Sequence, residues 1–150
     1  MKIDYLTIPE ITVSYKDKVK ASERAVITNA SDAAKIMAVA FENCMQHHEE
    51  MYALFLNRAN RVLGISRISQ GGFNGTVIDI RIILQMALKV SATAVLISHN
   101  HPSGSLVASS EDIETTKRIK KGCEAVDIKL VDHLIITEDG YRSFIDEGLL

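Results

Sequence analysis

Two histidines separated by a single residue follow a short apolar segment beyond the middle of the chain. His99 and His101 come after the apolar residues 92–98, and Ser109 and Asp112 follow at fixed offsets. Side chains two residues apart on an extended segment lie on one face, so both imidazoles can bind one metal ion. Two imidazoles and a carboxylate, with one position left open, form a catalytic zinc site. The spacing His-x-His-x7-Ser-x2-Asp therefore predicts that His99, His101 and Asp112 bind zinc.

The same residues have simpler interpretations. The two histidines could be ordinary loop histidines, and Ser109-x-x-Asp112 also fits the capping box of a helix N-terminus. The full spacing is expected by chance in roughly one chain in a thousand, which favours the metal site. Capping and metal binding are compatible for Ser109 and Asp112.

A zinc hydrolase also needs a general base, and a carboxylate is a common choice. Glu49 and Glu50 stand at the start of an apolar segment predicted to be the neighbouring strand. A shift of one residue in a strand turns the side chain to the opposite face, so only one of the two can serve. The residue types alone leave this choice open.

Other polar groups have weaker claims to function. His133, after Asp132, could orient a metal ligand, but a hydrogen-bonded histidine at a sheet edge is favoured. His47 and His48 could contribute to a second metal site, but a solvated helix end is favoured. Four basic residues of the last predicted helix are expected on a solvated face rather than at a phosphate site: Lys117, Arg118, Lys120 and Lys121.

The elements that position these groups indicate an α/β fold, a mixed sheet flanked by helices. Helices are predicted from Ser31, as the cap, to about Gln46, over 80–90 after an Asp79 cap, and over 111–125. The predicted strands lie near the N-terminus within 3–15 and then at 51–57, 61–68, 92–98, 128–131, 134–137 and 141–145. Turns are predicted at 57–60, 71–75 and 139–140.

Length and composition fit a single globular domain. We expect one domain over residues 1–150, with 1–21 as an N-terminal extension. Hydrophobic residues make up 47% of the chain and charged residues 24%, which excludes a disordered or fibrous class. The formal net charge of -2 does not favour nucleic-acid binding, which usually requires a basic surface.

Several kinds of segment are missing from the sequence. Apolar runs fall short of the ~18 residues that span a bilayer, and the first residues do not resemble a signal peptide. We therefore expect a cytoplasmic protein without a membrane partner. Cys44 and Cys123 are far apart and outside any Cys-x-x-Cys pair, so they are expected to be free, buried thiols.

The motif His99-x-His101-x7-Ser109-x2-Asp112, with a glutamate on an earlier strand, resembles the JAMM (MPN+/JAB) metalloprotease motif. The amino-acid sequences of four segments resemble those of the bacterial RadC-like proteins, which are named for DNA repair: residues 51–57, 61–63, 98–104 and 132–136. The resemblance covers roughly residues 22–150. It implies a cytidine-deaminase-like (JAB/MPN) fold and one zinc ion.

The resemblance also implies a role for each matching residue. His99, His101 and Asp112 match the metal ligands, and Ser109 matches the residue that helps to hold the oxyanion. Glu49 matches the general base because it stands eight residues before Asn57, where related sequences carry an Asp. The resemblance therefore favours Glu49 over Glu50.

Two functions of different classes follow from these observations. The favoured one is a zinc-dependent hydrolase of peptide or isopeptide bonds, whose protein or peptide substrate is unknown. The alternative is an accessory protein of DNA repair or nucleic-acid processing. Longer RadC-like proteins carry a helix-hairpin-helix region before the shared domain, whereas about twenty residues precede it here, which weakens the alternative. A third possibility, an inactive metal-bound interaction module, is disfavoured by the complete set of ligands and base. A zinc nucleobase deaminase is excluded because the Pro-Cys-x-x-Cys signature is missing.

Overall fold

A central strand in which every residue is buried organises the fold. The computed structural model describes residues 9, 11–12, 14–15, 17–71 and 77–150. The strands are β1 (Glu50–Leu56), β2 (Val62–Gln70), β3 (Ala94–Asn100), β4 (Lys129–Thr137) and β5 (Gly140–Ser143). The helices are α1 (Ala30–Ala40), α2 (Ile80–Lys89) and α3 (Ser110–Glu124), with a short 3-10 turn at Ala21–Glu23.

The five strands form one mixed sheet in the order β2-β1-β3-β4-β5. Neighbouring strands are antiparallel except β3 and β4, which are parallel and joined through α3. Parallel neighbours need a long crossover, and a helix usually provides it. The sheet therefore places the end of β3 next to the start of α3.

Helices cover both faces of the sheet. On one face α2 and α3 pack against residues such as Ala53, Phe55 and Ile97. On the other face α1 packs against Leu54, Leu56 and neighbouring apolar residues. Alternate residues of β1 thus enter different cores, as expected for a strand buried on both sides. The fold confirms the predicted class, a mixed sheet flanked by helices.

The first predicted helix differs from the structure at both ends. Asn29, not Ser31, caps α1, because its side chain accepts the Asp32 N–H at 3.1 Å. The Asp32 carboxylate in turn accepts the N–H of Thr28, the residue before the cap, and so holds the backbone at the helix entry. The helix ends at Ala40 rather than near Gln46, and residues 41–47 form turns.

The strands around the two histidines also differ from the prediction. β3 begins two residues later and ends two residues later than the predicted 92–98, so His99 lies on the strand and not in the loop. The predicted strands 128–131 and 134–137 are one strand, β4. The polar pair Asp132 and His133 suggested a break, but both side chains are buried with hydrogen-bond partners.

The remaining predicted elements agree with the structure to within two residues. Asp79 caps α2, and the chain turns between β4 and β5 at Asp139. The hairpin between β1 and β2 is held by Asn57, whose side chain accepts the N–H groups of Ala59 and Arg61. Residues 9, 11–12 and 14–15 form no strand, and the rest of the predicted N-terminal strand and positions 72–76 lie outside the described residues. None of the described helices has the length and apolar character needed to cross a bilayer.

Candidate metal centre

The end of β3 and the first turn of α3 bring together the three predicted zinc ligands. Ser109 caps α3, and its Oγ accepts the Asp112 N–H at 3.0 Å. The Ser109 N–H donates to Asp112 Oδ2 at 2.7 Å, completing a capping box. This reciprocal pair fixes the Asp112 side chain, so that its carboxylate faces the histidines from the helix N-terminus.

The ligand atoms are close enough to share one ion. His99 Nε2 lies 2.8 Å from His101 Nε2 and 3.2 Å from Asp112 Oδ1. His101 Nε2 lies 3.5 Å from Asp112 Oδ2. Ligand atoms of a tetrahedral zinc ion with bonds of about 2.0–2.1 Å stand about 3.3 Å apart. The three side chains therefore fit zinc in both type and spacing, and we call them the His-His-Asp cluster.

The ring nitrogens that face away from the cluster have hydrogen-bond partners. His101 Nδ1 donates to the Ser105 carbonyl at 2.7 Å, which leaves Nε2 with the lone pair that a metal needs. His99 Nδ1 lies 2.7 Å from His133 Nε2. His133 Nδ1 lies 2.6 Å from Thr116 Oγ1, and Thr116 donates to the Asp112 carbonyl at 2.6 Å.

His133 does not stand at a sheet edge, as the sequence suggested. It lies in the interior strand β4 and is fully buried against His99. Burial lowers its pKa well below the ordinary histidine value. The favoured sequence interpretation is wrong because the strand order, which places β4 beside β3, is not readable from local sequence.

Within the His-His-Asp cluster, the carboxylate and the imidazoles shift one another's pKa values. Burial alone would raise the pKa of the Asp112 carboxyl, but the neighbouring His101 and His99 imidazoles hold it well below its usual range. The hydrogen bond with Asp112 raises the pKa of His101; the Ser105 carbonyl and the charge of Glu49 add to this increase. The cluster thus has the negative charge and the imidazoles that a divalent cation requires.

The register of β1 relates its first residues to His99. Met51 pairs directly with His99 across the antiparallel ladder, so the two side chains share a face. Glu50, the first residue of β1, therefore points to the other face. Glu49 immediately precedes β1, and continued alternation predicts that it shares the face of His99; its charge contributes to the raised pKa of His101. Glu49 is half-buried, and its own carbonyl accepts the Gly71 N–H at 2.9 Å.

Glu50 lies in a different polar group, which we call the Glu50 cluster. Its buried carboxylate is contacted by His48 Nε2 at 2.9 Å and by Arg67 Nη1 at 3.1 Å. Burial opposes ionisation, but these two partners, with Tyr52 and Cys44, lower the pKa of Glu50. His48 is therefore a partner of Glu50 and not a solvated helix end. Cys44, His48 and Glu50 also have ligand atoms within 4.8 Å of one another, but the Arg67 guanidinium already supplies a positive charge there.

Asn100, between the two histidines, was not assigned a role from the sequence. Its Oδ1 accepts the Glu50 N–H at 2.8 Å. Its Nδ2 is 2.8 Å from the His48 carbonyl and 3.2 Å from the carbonyls of Cys44 and Met45. Asn100 thus joins β3, the start of β1 and the turn after α1.

Thr116 was also missed, although the sequence contains a signal for it. It follows Asp112 by four residues on the same helix, a spacing that places both side chains on one face. The partners of Asn100, in contrast, are distant in sequence and follow only from the sheet order.

Three of the four basic residues of α3 are exposed, as expected: Lys117, Arg118 and Lys121.

Comparison of the sequence with known families identifies the family of this chain. The sequence profile of the RadC-like JAB domain family matches residues 27–149. The chain belongs to this family, as the resemblance of its motifs indicated.

Curated relatives cover most of this chain. A UPF0758 protein of Flavobacterium johnsoniae is 44% identical over 123 residues, which are 82% of this chain and 53% of that protein. A UPF0758 protein of Porphyromonas gingivalis is 43% identical over 68% of this chain and 45% of its own length. One from Staphylococcus haemolyticus is 38% identical over 85% of this chain and 55% of its own length. The chain spans about half the length of these curated relatives.

Proposed function

We propose that this protein is a zinc-dependent hydrolase of the JAMM type that cleaves peptide or isopeptide bonds. The observation that carries the proposal is the convergence of His99, His101 and Asp112. The charge of Glu49, which contributes to the raised pKa of His101, supports the choice of Glu49 as the base. Three protein ligands that leave one position open are typical of catalytic zinc sites. Zinc bound there supplies Lewis-acid chemistry, since it polarises a carbonyl group and lowers the pKa of water.

Each of the surrounding residues has a definite task in this mechanism. Glu49 accepts a proton from the attacking water and passes it to the leaving amine. Ser109 Oγ accepts the Asp112 N–H, so its own O–H remains able to donate to the carbonyl oxygen as negative charge develops. His101 is held by Ser105, and Asp112 is held by the capping box, so the ligands keep their geometry during the reaction.

Replacing Glu49 by Gln tests the proposed general base. The amide has nearly the same shape but cannot accept the proton, and Glu49 stands outside the three ligands. We expect Glu49→Gln to retain about one zinc per chain and to lose about 10²–10⁴-fold in kcat. Glu124→Gln, an exposed residue at the far end of α3, is the matched control and should behave as wild type.

The substrate for this test comes from peptide and isopeptide libraries, assayed with zinc-loaded protein. Wild-type turnover in Glu49→Gln would refute the mechanism, and no cleavage of any library member by the wild type would count against the hydrolase. Salt-dependent binding or cleavage of DNA in the same preparations would instead favour a nucleic-acid accessory role.

A further inference from the structure

We infer that Thr116 and His133 form a relay that holds His99 in the one tautomer able to bind a metal through Nε2. The inference rests on the proposed metal centre. It assigns positioning roles to two side chains that supply no metal-binding atom themselves. The observation that carries it is a continuous line of hydrogen bonds from the Asp112 backbone to His99 Nδ1.

The Asp112 carbonyl, where this series of hydrogen bonds begins, determines which atom donates in each bond. The Asp112 carbonyl can only accept, so the Thr116 hydroxyl donates its single proton there, at 2.6 Å. Thr116 Oγ1 is then an acceptor toward His133, 2.6 Å away. His133 Nδ1 must therefore carry a proton.

The same reasoning extends from His133 to the proposed ligand. His133 is fully buried, with the Thr116 hydroxyl on one side of its ring and the His99 imidazole on the other. A neutral ring protonated at Nδ1 offers an acceptor at Nε2, and His99 Nδ1 lies 2.7 Å from it. His99 Nδ1 accordingly donates, and His99 Nε2 presents a lone pair toward His101 and Asp112.

Packing holds the relay in place. The His133 ring stacks on Phe144, with centroids 4.4 Å apart and an interplanar angle of 25°. Phe144 is fully buried, and its N–H donates to the His133 carbonyl at 3.0 Å. The His133 ring therefore cannot rotate freely to exchange its two nitrogens. The relay also links the backbone of one ligand, Asp112, to the ring of another.

The relay makes a specific prediction for substitutions at Thr116. Valine has the shape of threonine but cannot accept from His133 Nδ1, so both tautomers of His133 and His99 become accessible. Loss of such supporting partners typically weakens metal binding by about 10–100-fold. We expect this loss for Thr116→Val, and near wild-type zinc affinity for Thr116→Ser, which keeps the hydroxyl. Thr115→Val, the same substitution at the preceding residue, is the matched control.

Two measurements test the relay on the full chain. Zinc affinity is measured by competition with a chromogenic chelator, after circular dichroism has shown that each variant is folded. Nitrogen-15 NMR of the metal-free protein at neutral pH reports which ring nitrogen of His99 carries the proton. We expect Nδ1 in the wild type and in Thr116→Ser, and a mixture in Thr116→Val.

The outcomes separate this inference from the proposed function. Folded Thr116→Val with wild-type zinc affinity, or a wild-type His99 protonated at Nε2, would overturn the relay. A wild-type protein that binds no zinc would overturn the metal centre. In that case the NMR measurement would still decide whether the relay exists.

Discussion

Ser109 takes part in two interactions that use different parts of its hydroxyl group. The oxygen accepts the Asp112 N–H and caps α3, while the hydrogen is available to a substrate oxygen. The capping box that the sequence offered as an alternative to metal binding is thus the structure that orients the Asp112 ligand. The capping box and the metal site are therefore compatible for Ser109 and Asp112.

Removing the Ser109 hydroxyl should therefore affect both stability and activity. We expect Ser109→Ala to lower the free energy of unfolding by about 0.5–2 kcal/mol through loss of the cap. Loss of one oxyanion donor should lower kcat by about 10²–10³-fold. Chemical denaturation and turnover measurements check both effects. Ser110→Ala, next in the chain and exposed, is the control; equal behaviour of the two variants would contradict this role.

At the residue scale, the sequence predicted those parts of the site that are close together along the chain. His99, His101 and Asp112 lie within one strand-to-helix segment, so their spacing alone brings them together. Alternation along a strand separates Glu49 from Glu50, but which one faces the histidines depends on the pairing of β1 with β3. The matching position in related sequences supplied that choice, since the pairing itself could not be read from the sequence.

At the scale of elements, Asn100 connects three segments that are far apart in sequence. Its amide contacts the turn after α1, and its carbonyl oxygen accepts from the first residue of β1. Because Glu49 immediately precedes that residue, the same contact also fixes the backbone that carries the proposed base. The ends of helices and strands were predicted less well than their existence. The end of β3, for example, depends on its pairing with β1 and β4, which are distant in sequence.

We expect Asn100→Ala to be strongly destabilising. It leaves the Glu50 N–H and several carbonyls of the turn without their partner, at about 1–3 kcal/mol for each buried group left unpaired. The free energy of unfolding, measured with urea, should fall by about 3 kcal/mol or more.

Ser98 provides the matched control for this variant. It lies on the same strand and the same face as Asn100 and is fully buried. Its Oγ finds no hydrogen-bond partner within the described parts of the chain. Ser98→Ala should therefore cost little stability. A loss in Ser98→Ala as large as that in Asn100→Ala would show that burial alone, and not the amide contacts, explains the effect.

At the scale of the whole molecule, the sheet separates two polar groups. His99 shares the face of Met51, which is covered by α2 and α3, whereas Glu50 points to the other face. This separation follows from alternation along β1 and β3, so both clusters adjoin the same strand ends without sharing a side chain. The α/β class was predictable from the alternation of strands and helices, whereas the strand order was not.

The two cysteines are free and buried, as predicted from the sequence. Burial raises the pKa of Cys44 to about 11 and that of Cys123 to about 11, so both are protonated at neutral pH. Because the thiolate is the reactive form, we expect neither to react with a thiol reagent in the native protein at mildly alkaline pH. Both should react after unfolding. Rapid labelling of native Cys44 would contradict the raised pKa, to which both burial and the neighbouring Glu50 contribute.

The central claim is that zinc binds at the end of β3 and the start of α3. Anomalous diffraction at the zinc absorption edge, from crystals of the zinc-loaded protein, tests it most directly. We predict one strong peak at about 2.0–2.2 Å from His99 Nε2, His101 Nε2 and an Asp112 carboxylate oxygen. A zinc peak at Cys44, His48 and Glu50 with none at the histidine pair would contradict the account, as would the absence of any ordered zinc.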